Sequence, residues 1–351
     1  MQPPSSTGRE PGDLPLARGP VSRLVLDLLT GDPDGAHPLV HLDPDGTDPL
    51  ADEDLQIALW ACYELHFRGF TGVDPEWEWA PALLHVRRQM EKVVLDHLLD
   101  AVALEVDEAM AAPGDLATRF FDLTESFPGP ALSSVVGRQA DRDQVLEFLA
   151  HRSVYQLKEA DPHTFVVPRL EPTPKATFME IQFDEYGAGR PDRVHQRLFA
   201  KTMAAAGLDD GYAAYVDAVP AQTLALGNIV SLLGLHRRWR GAAVGHLAAV
   251  EATSSLPCRL YASGVRRVGL DDEVAVFFDE HVEADAVHEQ LAVRGICGSL
   301  VEGEPELERD VFLGAAFLLH GEVRFAEMLL AAWADGTSAL ASQPVRESVP
   351  A

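Results

Sequence analysis

Glu185, His195, Glu251, His281, Asp285 and His288 supply three carboxylates and three imidazoles, side chains able to hold a first-row transition metal without any thiolate. The last three form H-x3-D-x2-H and recur at i, i+4 and i+7, which places them on one face of a helix. Between Leu270 and Arg294, an apolar stripe of Val274, Phe277, Phe278, Leu291 and Ala292 includes that triplet. Asp279, Glu280, Glu283, Glu289 and Gln290 fall mainly elsewhere. The triplet therefore faces inward. A carboxylate such as Asp285 buried there without a cation is strongly unfavourable, and a bound metal removes the objection.

Glu251 follows Val244, Leu247 and Ala248 on an apolar stripe of its own. Gly241, Ala242, Ala243, Gly245, Ala248 and Ala249 keep that helix thin enough for a neighbour to approach closely, and Ser254-Ser255-Leu256-Pro257 is expected to end it. Glu185 and His195 stand ten residues apart across two glycines and a proline, so the helix bearing the first breaks before the helix bearing the second. Taken singly, each residue has an ordinary reading: an inward Glu paired with Arg, a capping histidine, a polar stripe bonded to neighbouring helices. Three metal-competent groups on one apolar face favour the metal. The lack of thiolates disfavours structural zinc and iron–sulfur clusters; a mixed imidazole and carboxylate set suits iron or manganese, and the ligand number suits two ions bridged by carboxylate. Only one D-x-x-H (Asp285, His288) is present, so paired E-x-x-H ferritin-type ligation is not expected. Arg190 and Arg193 flank the segment and could meet a substrate carboxylate, although exposed helix arginines are the simpler reading.

The elements that must position these groups read as helices. Helical spacing or breakers mark Val21–Thr30, Asp52–Gly69, Pro81–Ala112, Leu116–Phe127 and Ala131–Ala160. They continue at about 176–187, 191–206, 209–218, 221–253, 256–267, 270–293 and 306–334. No run of alternating strands and no repeat of 20 to 50 residues intervenes, so the chain is all-α. Residues 1–20 are expected to be a disordered leader, 21–114 an N-terminal helical region, 115–335 the domain bearing the site and 336–351 a flexible tail. The loop around Asp43, Asp45, Thr47 and Asp48 lacks the glycine and final glutamate of a calcium loop.

Among 351 residues, 55 are acidic and 28 basic, a formal charge of −27. That field argues against nucleic acid or an anionic membrane as the main partner. The one basic cluster, His236-Arg237-Arg238-Trp239-Arg240, reads as a solvated turn. Three cysteines without C-x-x-C, no secretory h-region and no long apolar run lead to the expectation of a cytoplasmic protein.

Three segments, DEYGAGRPDRVHQRLF (184–199), GHLAAVEATSSLP (245–257) and FFDEHVEADAVHEQLA (277–292), resemble the heme-oxygenase-like diiron oxidase and oxygenase family, often labelled iron-containing redox enzymes. The likeness is to its N-oxygenase branch and includes the ten-residue Glu-to-His step. The resemblance implies a seven-helix heme-oxygenase-like bundle without heme over about 115–335, with an additional N-terminal helical region similar to a dimerisation region, hence a homodimer. It implies that Glu185, His195, Glu251, His281, Asp285 and His288 hold two Fe(II) ions, with O2 as co-substrate and an external reductant as electron donor. The implied reaction is N-hydroxylation of an amino-acid-like or amine substrate in specialised metabolism. Nitrosating members of that branch carry a following cupin; this sequence ends soon after the helical region, so complete N-nitrosation is not expected of it. Two alternatives stay open. One is desaturation, oxidative decarboxylation or C–C fragmentation of an amino or fatty acid by the same metal site. The other is a metal-free helical protein that binds a small molecule.

Overall fold

The computed structural model describes residues 12–37, 41 and 48–341, apart from the side chains of 283–287. Residues 1–11, the calcium-like positions 43–47 and the terminal 342–351 lie outside the described residues, as does the Asp285 side chain. The described chain is all-α, without a strand. Its first part comprises α1 (Pro20–Leu29), α2 (Glu53–Glu64), α3 (Pro81–Ala101), α4 (Ala103–Ala111), α5 (Leu116–Ser126) and α6 (Leu132–Arg138). The second comprises α7 (Arg142–Gln156), α8 (Asp161–Thr164), α9 (Pro172–Glu185), α10 (His195–Ala205), α11 (Ala221–Leu235), α12 (Arg240–Arg267), α13 (Val276–Gln290), α14 (Ser299–Gly303) and α15 (Glu308–Ala334).

Helix α12 is the central element, packed on α15, α13 and α6. Its small residues do what their size allows. A Cβ built on Gly245 would lie 1.9 Å from the Val311 carbonyl oxygen, and one on Gly314 of α15 would lie 1.8 Å from the Ala242 carbonyl oxygen. The two backbones therefore touch over about one turn of each helix. Near its other end, Gly264 of α12 admits the Val136 carbonyl of α6 in the same way, at 2.5 Å from a built Cβ.

Several expected boundaries differ from those found. Ser254 to Pro257 do not end a helix: α12 runs through Pro257 to Arg267. The missing proline N–H costs one ladder bond, while packing of Gly264, Ala262 and Val265 on the far side holds the second half in line. Thr253 and Ser254 donate their hydroxyls to the Ala249 and Val250 carbonyls, four residues back. The helix expected over 131–160 divides at Asp141, whose carboxylate accepts from Gln144 N while the Gln144 side chain accepts from Asp141 N, a capping box that starts α7. The stretch 221–253 divides at His236, in extended backbone. Residues 209–218 form turns, with Ala213 in the left-handed region at φ 59°. After α13 the chain widens into a π-helix, Leu291–Gly298.

The N-terminal helices join the same apolar core, α2 lying against α11. Residues 12–19, read from composition as leader, lie along the turn before α11: Leu16 N donates to Asp217 Oδ1 at 2.8 Å and Arg18 donates to the Val216 carbonyl at 2.6 Å. Lys158 ties these parts together. Its ammonium is 3.4 Å from Glu64 Oε2 of α2, both side chains 2 % exposed, and sits over the Phe67 ring. Tyr212 also donates to Glu64, at 2.8 Å. No helix among the described residues is long and apolar enough to cross a membrane.

Candidate metal centre and the cavity beside it

Two buried trios of ligand atoms lie side by side in the core. Glu159, His195 and His281 offer ligand atoms within 4.8 Å of one another, and Glu185, Glu251 and His288 do the same. The structure thus brings together five of the six residues singled out from sequence, and adds Glu159. Asp285 lies on α13 between His281 and His288, in register with both. Each group arrives on a different element: Glu159 from the turn after α7, Glu185 from the last turn of α9, His195 from the first residue of α10, Glu251 from mid-α12, and the histidine pair from α13. The break between Glu185 and His195 is real. Gly187 (φ 78°) and Ala188 (φ 51°) are left-handed, and a Cβ on Gly187 would meet Val194 N at 2.7 Å, so the chain folds tightly back on itself. That reversal sets His195 Nδ1 3.0 Å from Glu185 Oε2. Glu185 consequently stands between the trios.

The histidines are oriented from behind. His281 Nδ1 donates to the Phe277 carbonyl at 2.8 Å, which leaves the Nε2 lone pair facing its trio. His288 Nε2 donates to Asp184 Oδ2 at 3.0 Å, which leaves Nδ1 3.3 Å from Glu251 Oε2. A ligand histidine whose second nitrogen is tied to a carbonyl or carboxylate is the usual arrangement at metal sites. The rings of His195 and His281 are 4.5 Å apart, with Phe277 behind them.

Electrostatics describe a site built for cations. Burial, then the His195 charge, pushes His281 down to about 4, so it is a neutral ring at pH 7. Burial also acts against the charged form of His288, but Glu251 and Asp184 outweigh it and raise the imidazole to about 9. Burial raises Glu251, with the Glu185 charge adding to it and His288 opposing. In Glu185 the same burial is overcome by His195, His281 and His288, and its carboxyl stays below the usual range. Buried Glu185 Oε2, His195 Nδ1, His281 Nε2 and His288 Nδ1 make no well-aligned hydrogen bond among the described residues, and meet their neighbours in the trios only at ion-pair distance. Four such atoms converging in a sealed core are costly unless a cation receives them. The donor set fits iron: imidazole and carboxylate, with no thiolate.

A cavity of about 290 Å³ adjoins the trios. Phe148, Phe278, Leu318 and Val323 form its apolar wall, while Tyr155, Glu159 and Ser254 are shared with the metal end. Arg193, one of the arginines considered as a carboxylate receiver, instead pairs with Glu280 at 2.7 Å in an exposed position, and Arg190 is exposed. Neither lines the cavity.

Residues 146–322, just over half of the chain, match the family described as iron-containing redox enzyme, of heme-oxygenase-like fold. The chain is also similar to a nitrosourea synthase of Streptomyces achromogenes subsp. streptozoticus, 27% identical over 212 residues. That alignment covers 59% of this chain and 44% of the relative, so this chain spans less than half of the relative's length. With the helical bundle and its buried imidazole and carboxylate clusters, the match over half of its length makes this chain a member of the iron-containing redox enzyme family, an oxidoreductase.

Proposed function

We propose that the protein is an oxygenase that holds two Fe(II) ions and uses O2 to hydroxylate a nitrogen atom of an amino-acid-like or amine substrate. The observation that carries this reading is the pair of adjoining buried trios, with Glu185 reaching 3.0 Å from His195 of the other. Glu159, His195 and His281 would hold one iron, Glu185, Glu251 and His288 the second, and Asp285 joins the set by its register on α13. When bound, the irons supply the electrons and Lewis acidity with which O2 is reduced, and an external donor restores the electrons. Nitrogen as the atom oxidised is favoured by similarity to a relative named for making a nitrosourea.

The protein's own part is positioning and exclusion of water. Phe277 and Asp184 fix the rings of His281 and His288 in the orientation that offers lone pairs inward. The apolar wall of the adjoining cavity removes solvent from a bound substrate and leaves the few polar groups to orient it. Tyr155 stands at the threshold. Burial, then the charges of Glu159, Glu185 and Glu251, keeps its phenol protonated, so its hydroxyl remains a donor to whatever lies between cavity and metals.

The test is to load the reduced protein with iron, add candidate amines and amino acids under 18O2, and follow products by mass spectrometry. A hydroxylamine carrying one 18O is expected. Absence of a labelled N–O product from every candidate counts against N-hydroxylation, and a labelled aldehyde, an alkene or a one-carbon fragment would reassign the chemistry to carbon.

A further inference from the structure

One helical face links the candidate metal centre to the far end of the cavity. Phe148, Arg152, Tyr155 and Glu159 follow one another at i, i+4, i+7 and i+11 along α7 and the turn after it, and all four line the cavity. Arg152 is a charged group on an otherwise mostly apolar wall, its side chain 12 % exposed. Its Nη1 and Nη2 donate to the two oxygens of Glu322 at 2.6 and 2.7 Å, across from α15. The guanidinium lies over the rings of Phe148 (5.4 Å) and Phe325 (4.8 Å), which hold its plane.

This ion pair leaves hydrogen-bonding capacity on both partners. A guanidinium has five N–H donors, and the end-on fork to Glu322 uses two. Arg152 Nε is buried and has no hydrogen-bond partner among the described residues, and the Tyr261 hydroxyl lies against the same guanidinium, so the fork keeps donor capacity beyond the Glu322 pair. Each Glu322 oxygen, having accepted one bond, can accept another. A ligand carboxylate can therefore dock on the Nε edge while a ligand ammonium docks on Glu322, without breaking the existing pair; charges then alternate around a small square. A lone carboxylate or a lone ammonium would complete only half of this arrangement. Gln156, one position beyond Tyr155, also lines the cavity and leaves a buried Oε1 without a partner, a second acceptor for an ammonium.

We infer that Arg152 and Glu322 form the head-group subsite for a zwitterion bearing carboxylate and ammonium together, whose side chain runs past Tyr155 to the metals. This deepens the functional reading above and rests on it only for the end of the ligand that reacts. A cavity of about 290 Å³ suits a small ligand rather than a long lipid.

Calorimetric titration of the full chain, both chelator-treated and iron-loaded, tests this with the proteinogenic amino acids and norleucine. Hexanoate and pentylamine each lack one of the two charges and serve as matched probes. At least one amino acid is expected to bind in both metal states, and to lose at least tenfold in affinity when either charge is removed. Arg152→Gln is expected to weaken the amino acid and hexanoate together. Glu322→Gln should weaken the amino acid and pentylamine together. Hexanoate or pentylamine binding as tightly as the best amino acid overturns the proposal, and so does failure of every amino acid to bind. The panel on the unmodified protein decides the matter even if a variant does not fold. Iron content is measured separately: amino-acid binding in a protein that takes up no iron would sink the metal reading and leave this subsite standing, and the reverse outcome would do the opposite.

Discussion

Replacing Gly245 by alanine sets a methyl group 1.9 Å from the Val311 carbonyl oxygen, where ordinary contact begins near 3.4 Å. The shortfall is about 1.5 Å, and neither partner is a flexible side-chain end: one is the backbone of α12, the other that of α15. Helix α15 cannot yield by a small rotation, because Gly314 presses on the Ala242 carbonyl within the same interface. Overpacking usually costs about 1–3 kcal/mol, and a backbone-on-backbone clash belongs at the upper end, about 3 kcal/mol. Such a loss lowers Tm by about 4 °C in a chain of this size, at about 2.1 cal/mol/K of unfolding entropy per residue. Glu251 lies six residues further along α12, about 9 Å by helical rise, so iron content should fall as α12 shifts. The assay is urea unfolding with metal analysis of the folded fraction. Gly303→Ala is the control, since no heavy atom lies within 4 Å of its built Cβ, and it should change stability by at most ~1 kcal/mol in the favourable direction. If Gly245→Ala unfolds within about 0.5 kcal/mol of the parent, the close helix contact described here is wrong.

Glu159→Gln should remove about one iron per chain while Glu185→Gln, standing between the trios, should reduce both; unchanged metal content in the two variants contradicts the assignment. Iron uptake displaces the proton from His288, whose imidazole is held up at about 9, so apparent affinity should rise with pH between 7 and 9; a flat profile in competition titrations refutes the role. Buried His163, bonded to His246 at 3.1 Å, is pushed down by burial to about 4 from 6.5. Below pH 6.5 the unfolded chain binds a proton that the folded chain refuses, so this stability is present above 6.5 and is lost as pH falls toward 4. The loss is roughly 3 kcal/mol in total, and His163→Gln should flatten the pH dependence measured by denaturation. Asp184→Asn should leave the fold intact and weaken iron binding about tenfold or more, since it removes only the group that aims His288; an unchanged affinity argues that the ring is aimed by other means.

His281 and His288 were legible because helical periodicity put metal-competent side chains on an apolar face, and both are buried there; the Asp285 side chain lies outside the described residues. The close approach to α12 was legible too, since glycine and alanine admit a neighbouring backbone by size alone. Glu159 was not: it follows the end of α7 in a turn, beside Lys158, and looks like a solvated charge until the spacing from Phe148, Arg152 and Tyr155 is noticed. The break at Asp141 has a local signature, D-x-x-Q, that marks a helix start. Pro257 misleads for the opposite reason. Its local preference to end a helix is overridden by α6 packed against the residues that follow. Turn residues 209–218 carry helix-forming alanines, yet a left-handed Ala213 and contacts with the N-terminal segment decide their course.

The buried Lys158–Glu64 pair has a practical consequence for anyone who trims this chain to the stretch 146–322 that its family shares. Such a fragment would discard the only carboxylate within reach of that ammonium among the described ion pairs, along with the aromatic rings beneath it. Stranding one member of a sealed pair costs roughly 3–5 kcal/mol, comparable to the whole margin of many proteins. The next residue is Glu159, so the damage would arrive first at the candidate metal centre. The minimal folding unit is therefore larger than the family-matched half, and its boundary is drawn by one lysine.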